Sequence, residues 1–355
     1  MPTRVTIQEL VIAIIVVLIL VLLLTIIVLT YSFYRYRVLH NRESWKKIIE
    51  YKISEVIVDG QETIHNDKDF LGHLKDSSFR NLFLAVLVAS NRKFSGAAQS
   101  ELKKLFYGFQ LDKDAWKKLR RKESYLVAIG IQELASMGVE SAIPQITSLL
   151  ESPRQQIYQE AQYAIVSFKG FEGLDFLNDL LYPLSDWQQL RLLSSLKEIP
   201  ENSSKSISNW LGNQNESVVI FTLRLIKKFQ LLSFYSQVWN MLDRATINTQ
   251  IHIVRTLRVL ENANTIQQLI SVFSEKTEQV QLEILKALKI AKNKKSGPFL
   301  QQQLWEHPTV SIKIAAAEAL IALEQQQYLQ QIANENTTPE QLIQIIKHAL
   351  QEKIC

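Results

Sequence analysis

Cysteine is almost missing from this sequence: the only one, Cys355, is the last residue. No internal disulfide can form and no thiolate zinc cluster exists. The prenylation pattern, which needs three residues after the cysteine, is not met either. A free thiol in a reducing compartment is the expectation. Glycine and proline are scarce too, ten and eight in 355 residues. Strand-rich folds need frequent turn residues, so this scarcity disfavours an all-β architecture. A Gly-rich phosphate loop, a Ser-His-Asp order and a nucleophile elbow are also missing. The acidic residues sit singly on helix faces, where solvation or i,i+4 pairing is the default. No catalytic residue and no cofactor are therefore expected.

Hydrophobic residues make up 47% and charged residues 21%, a globular composition. Within it, residues 10–29 are an unbroken apolar run in which only Thr25 is polar. At about 1.5 Å per residue the run is about 30 Å long, the thickness of a hydrocarbon core. It is too long for a signal-peptide core, and no small-residue cleavage site follows. Instead Tyr31, Tyr34 and Tyr36 interleave with Arg35 and Arg37. The expectation is a transmembrane helix over 10–30, after a short extracytoplasmic N-terminus (1–9). Arg4 is offset by Glu9 on one flank, whereas Arg35, Arg37, Arg42, Lys46 and Lys47 follow on the other. The positive-inside rule then puts the N-terminus outside and the body in the cytoplasm, a single-pass membrane localisation.

From residue 121 onward the sequence repeats. The last apolar core residue of the longer helix in each unit reads Leu134, Ile165, Leu196, Ile226, Leu257, Leu288 and Leu320, at steps of 30 to 32. A fixed period near 31 is the mark of a solenoid. One unit is plain: a short helix over 142–150 with Pro144 in its first turn, then a turn at Ser152 and Pro153. The longer helix over 154–168 has Ile157, Ala161, Ala164, Ile165 and Phe168 on one face, and Lys169-Gly170 ends it.

This unit resembles the HEAT repeat, whose pattern is a short Pro-containing helix ending in Leu-Leu, an Asp/Pro-rich turn, and a helix running through paired alanines. Ile143-Pro144, Leu149-Leu150, Pro153, Ile157, Ala161 and Ala164-Ile165 carry the likeness. Pro308, Val310, Ile314-Ala315-Ala316-Ala317 and Ala319-Leu320 carry it again. The middle repeats depart from the pattern. The basic residue expected beside the first apolar position is Tyr158, Gln189, Val219, Gln250 or Gln281, and only Lys313 is basic. The resemblance covers about two thirds of the chain and implies a fold more than a role. The tetratricopeptide alternative has a longer period and an aromatic-Gly-Tyr pattern not found here. The fold class expected is all-α: an N-terminal transmembrane helix followed by a HEAT-type α-solenoid of about seven helical hairpins (121–355). A basic juxtamembrane helix (31–60) and an atypical helical N-terminal cap (61–120), with a buried helix over 81–90, come between. A last helix from Thr338-Pro339-Glu340 to Lys353 would cap the open end.

Charge is uneven along the chain. Residues 31–52 hold six Lys/Arg against two Glu, and residues 91–125 hold ten against four acids. The remainder beyond the apolar run is mildly acidic. Arg35, Arg37, Arg42, Lys46, Lys47, Lys117, Lys118, Arg120 and Arg121 form a cluster suited to anionic lipid headgroups, or simply a solvated face. His65, Asp67, Asp69 and His73 are the densest ligand-type group but lack a recognised metal spacing, so no metal is expected. Trp210, Trp239 and Trp305 fall near the ends of short helices and read as core.

Stacked in register, Arg224, Arg255 and Lys286 are equivalent, and three residues later come Lys227, Arg258 and Lys289, with Lys197 one repeat earlier. On a helical wheel both columns lie opposite the buried stripe. HEAT units line a concave surface with their longer helices, so the resemblance implies a basic ladder there. The function expected is a membrane-tethered protein–protein interaction scaffold whose partner carries acidic segments, with no nucleic acid. A structural subunit of a cell-envelope assembly or secretion complex is the alternative. The same architecture also serves nucleic-acid repair enzymes and bilin lyases, for which no site residues are found.

Overall fold

In the computed structural model the backbone is described for residues 7–60, 67–260 and 262–351, and side chains for 15–31, 42–60, 67–260 and 262–350. His65, Cys355, Arg4, Lys353 and the side chains of Glu9, Arg35 and Arg37 lie outside the described residues. The described residues are all-α, with no strand among them. The chain forms two compact units, Met1–Phe168 and Lys169–Cys355.

The first unit opens with α1 (Ile7–Asp59), one unbroken helix. Among the described residues no helix is long and apolar enough to cross a membrane. This overturns the transmembrane helix expected at 10–30 and, with it, the single-pass localisation with the solenoid in the cytoplasm.

The far end of α1 buries Ile49, Ile53 and Val56 against α3 (Ser77–Asn91) and α4 (Ala97–Gly108). The short α2 (Lys68–His73) delivers Phe70 to an aromatic cluster, with Phe79 and Phe83 of α3 both edge-on at 5.4 Å. The helix expected over 81–90 is the buried middle of α3. Next come α5 (Leu111–Leu119) and α6 (Ser124–Met137), whose close approach depends on Gly130. A Cβ there would stand 2.6 Å from the Leu119 backbone nitrogen. The pair α7 (Ile143–Ser148) and α8 (Gln155–Lys169) follows, with Pro144 in the first turn of α7. Ser152 Oγ accepts from the Arg154 amide at 3.4 Å, and α8 begins one residue later than the start expected at 154. A single core runs from Ile49 to Ile165, so the first repeats share it with the atypical region before them.

The second unit is more regular. After a 3-10 stretch (Gly170–Asn178) come α9 (Asp186–Ser195), α10 (Ser204–Leu211), α11 (Glu216–Phe229), α12 (Tyr235–Asn240) and α13 (Ile247–Leu260). Then follow α14 (Thr265–Ser271), α15 (Glu278–Ala291), α16 (Gly297–Glu306), α17 (Val310–Ala322), α18 (Gln326–Asn334) and α19 (Glu340–Gln351). Short and long helices alternate. The long ones, α11, α13, α15, α17 and α19, each pack on the next. All seven register residues from Leu134 to Leu320 are buried. A repeated polar bond accompanies the repeated apolar stripe. Glu216 at the start of α11 accepts from Thr249 at 2.8 Å and from Thr246, and the equivalent Glu278 accepts from Ser311. Those hydroxyls hold the Glu216 carboxyl below its usual range.

Candidate functional site

The long helices of the second unit place the two expected columns of cations on neighbouring rungs, roughly 10 Å apart at helix-packing distances. Asn215 caps α11, accepting from the Ser217 amide at 3.1 Å, which sets the phase that brings Arg224 and Lys227 to one side. Arg255 and Arg258 follow on α13, and Lys286 and Lys289 on α15.

The columns are not a freely solvated ladder, as the helical wheel led us to expect. Arg224 Nη2 meets Asp186 Oδ1 at 2.6 Å, Arg255 Nη2 meets Glu283 Oε2 at 2.9 Å, and Lys289 Nζ meets Glu318 Oε2 at 2.6 Å. The Arg224 side chain is only 24% exposed and that of Arg255 39%. The wheel misjudges them because a long helix is flanked by the helices before and after it, and those neighbours cover the cations' aliphatic stems. Glu283 in turn holds the Arg255 guanidinium above its ordinary value. Lys197 lies just past the end of α9 in extended chain, not on a helix, and is exposed.

Among the described residues no carboxylate pairs with Lys227, Arg258 or Lys286. Lys227 is half-buried, and burial lowers its pKa, as do the charges of Arg258, Arg255 and Arg224. His252, one turn before Arg255, is pushed down to about 4 by burial and by Arg224, Arg255 and Lys227, with Asp186 opposing. It is neutral at pH 7 and adds no charge to the cluster. Among the described residues six cations therefore face three paired carboxylates, and these nine groups keep an excess of three positive charges. Such a cluster attracts anions over several ångströms and raises the energy of its own unpaired members until one arrives.

Two cavities adjoin the last rungs. One of about 340 Å³ lies between α15 and α17, and one of about 540 Å³ is lined by Lys292, Ile321 and Ala349. The Lys289–Glu318 pair borders both.

The other sequence candidates are dispersed. Asp67 caps α2 and pairs with Lys52 at 2.8 Å, so it is held below its usual carboxyl range. His73 stacks on Phe79. No group of three metal-ligating side chains converges among the described residues. Lys118 does not belong with the lipid-facing set. Its Nζ turns inward to Glu133 at 2.5 Å, with side chains 14% and 5% exposed. Arg120 lies over the Trp116 ring, and Lys117 pairs loosely with Asp114 at 3.5 Å. Arg42, Lys46, Lys47 and Arg121 are exposed. Trp210 is core, as expected, and its Nε1 donates to Asn178 at 2.8 Å. Trp305 is 39% exposed with its Nε1 toward Tyr328, which departs from the core reading.

Sequence reasoning passed over the three carboxylates and His252. One signal was present: with the 32-residue step of the last repeat, the position equivalent to Arg224, Arg255 and Lys286 is Glu318. The column ends in its own counter-charge. No protein-family model and no curated protein sequence matches this chain.

Proposed function

We propose that this chain is a binding scaffold without catalytic activity, and that the basic side of its second unit receives an acidic segment of a protein partner. The observation that carries this reading is the trio Lys227, Arg258 and Lys286: cations on three successive long helices that form no ion pair with a carboxylate among the described residues. Folding has brought like charges together, which costs stability unless an anion completes the set. Arg224 and Arg255 can redirect their forks toward a ligand carboxylate, since a guanidinium pairs with carboxylates in two-point geometry. An extended acidic peptide presents carboxylates on a spacing that suits rungs about 10 Å apart.

Fluorescein-labelled oligo-glutamate tests this directly, with oligo-lysine as the control. The full chain should bind the former in a salt-sensitive manner and ignore the latter. Arg258→Glu combined with Lys286→Glu should weaken binding at least about tenfold while thermal melting stays unchanged. Absence of oligo-glutamate binding, or binding that survives the double reversal, would overturn the reading.

A further inference from the structure

The cavity between α15 and α17 differs in chemistry from the cationic rungs beside it. Leu282, Leu285 and Ala315 line it, and Ile290 stands 53% exposed at its edge. Exposed Lys286 marks one side, and the Lys289–Glu318 pair marks another. The register explains why the space exists. Position 315 is equivalent to Glu283 one repeat earlier and to His252 two repeats earlier. On those rungs a polar side chain fills the gap between long helices, and on α15 it is the Glu283 that holds Arg255. Alanine at the same place on α17 leaves the gap open. Position 290 changes in step: Lys228 and Val259 are its equivalents, and Lys228 is engaged with the carbonyls of Leu193 and Leu196. Ile290 has no such partner and shows apolar surface to solvent.

We infer that this cleft takes one large apolar side chain of the acidic segment, with a neighbouring carboxylate of that segment paired to Lys286. The inference rests on the reading of the basic side as a surface for acidic peptides, and it adds what that peptide must contain. Charge complementarity selects the occupant: Lys289 is neutralised by Glu318, and an apolar residue flanked by basic residues would meet the positive charge of Lys286 and be repelled. A volume of about 340 Å³ open on one side accommodates a leucine or aromatic side chain. Burial of that side chain supplies affinity that surface charge pairs alone do not.

Two labelled peptides of glutamate and serine, identical except for a central leucine or serine, separate the alternatives. The full chain should bind the leucine peptide about tenfold more tightly, the return expected from burying most of one such side chain. Ala315→Trp, which fills the cleft, should abolish that preference and leave the serine peptide's affinity unchanged. Ile290→Glu, at an exposed position, should abolish it too and guards against a folding defect in the tryptophan variant. Equal affinity of the two peptides for the native chain overturns the cleft while leaving the acidic-segment reading intact. A leucine preference that persists in both variants also overturns it, since the apolar residue then sits elsewhere. Failure of both peptides to bind overturns the cleft and the reading beneath it.

Discussion

The two units use positive charge in opposite ways. In the first unit several cations are consumed by the fold. Arg80 reaches Asp114 at 2.6 Å and the carbonyls of Phe109 and Gln110, Lys52 is shared by Glu55 and Asp67, and Lys118 is buried against Glu133. In the second unit the cations are fewer relative to acids, yet Lys227, Arg258 and Lys286 have no carboxylate partner among the described residues. Counting charge along the sequence points to residues 91–125 as the basic surface, and the structure shows several of those charges turned to structural use. Of the six cations that recur in the repeat, Arg224, Arg255 and Lys289 meet a carboxylate on a neighbouring helix, and Lys227, Arg258 and Lys286 are left without one among the described residues.

The largest effect that would sharpen this contrast concerns the stripe on which the second unit is built. Leu257 is fully buried in α13 between α11 and α15. Leu257→Asp removes its packing and buries an unpaired carboxylate, at a cost of roughly 5 kcal/mol or more. Urea denaturation followed by circular dichroism should show the second unit unfolding at much lower denaturant, with α11 and α15 losing their common neighbour. A midpoint equal to that of the native chain would mean that the repeats do not depend on this register.

Next in size is the buried pair of the first unit. The Glu133 side chain is 5% exposed, its Oε2 has no hydrogen-bond partner, and burial raises its pKa against the opposing pull of Lys118. Lys118→Met strands that carboxylate and should cost about 3–5 kcal/mol at pH 7. Adding Glu133→Leu should recover most of the loss, since the paired charges themselves contribute little net stability. The linkage runs in a definite direction. A carboxyl whose folded pKa is raised contributes stability that is complete below its unfolded value near 4.5 and is lost as pH rises through the folded value. In Lys118→Met the folded value rises further, so the destabilisation should shrink on acidification toward pH 4.5. If Lys118→Met matches the native chain at pH 7, the pair is a surface contact and the contrast between the units fails.

Much of this molecule could be read from residue spacing. The period near 31 located the long helices, and the seven register residues are buried because an apolar stripe repeated at one phase has only neighbouring helices to bury it against. Pro144 and Gly170 marked helix boundaries for local reasons, a missing N–H and a positive φ of 60°. The pairing of the cations could not be read so easily. Glu283 lies 28 residues beyond Arg255, close to one period but not on it, so alignment by column hides it, and Glu318 falls on the column only one step past its last cation. Lys118 looked like one more member of an exposed basic run. Its inward turn depends on Glu133 of the antiparallel α6, a tertiary partner that no i,i+4 rule reveals.

The smallest effect tests the cluster through His252. Facing it are Arg224, Lys227 and Asp186 from one side and Arg255 on its own helix, and together with burial they set its pKa at about 4. The unfolded chain, with a value near 6.5, binds a proton that the folded chain refuses. Stability from this group is therefore complete above the unfolded value and is lost as pH falls through about 4. His252→Gln should flatten that part of the stability curve without changing the plateau above it. An acidic peptide on the same rungs reverses the field at the imidazole, since its carboxylates offset Arg224 and Arg255. The His252 pKa must then move back toward its ordinary value, and binding must take up a fraction of a proton at a pH of about 5.5. Calorimetric titration of oligo-glutamate in two buffers of different ionisation enthalpy reads this uptake. The native chain should give buffer-dependent heats, and His252→Gln should reduce the dependence while keeping most of the affinity. Heats independent of buffer in the native chain would place the bound peptide away from these rungs, and the distinction between a first unit that spends its cations and a second that reserves them would then need another ligand to sustain it.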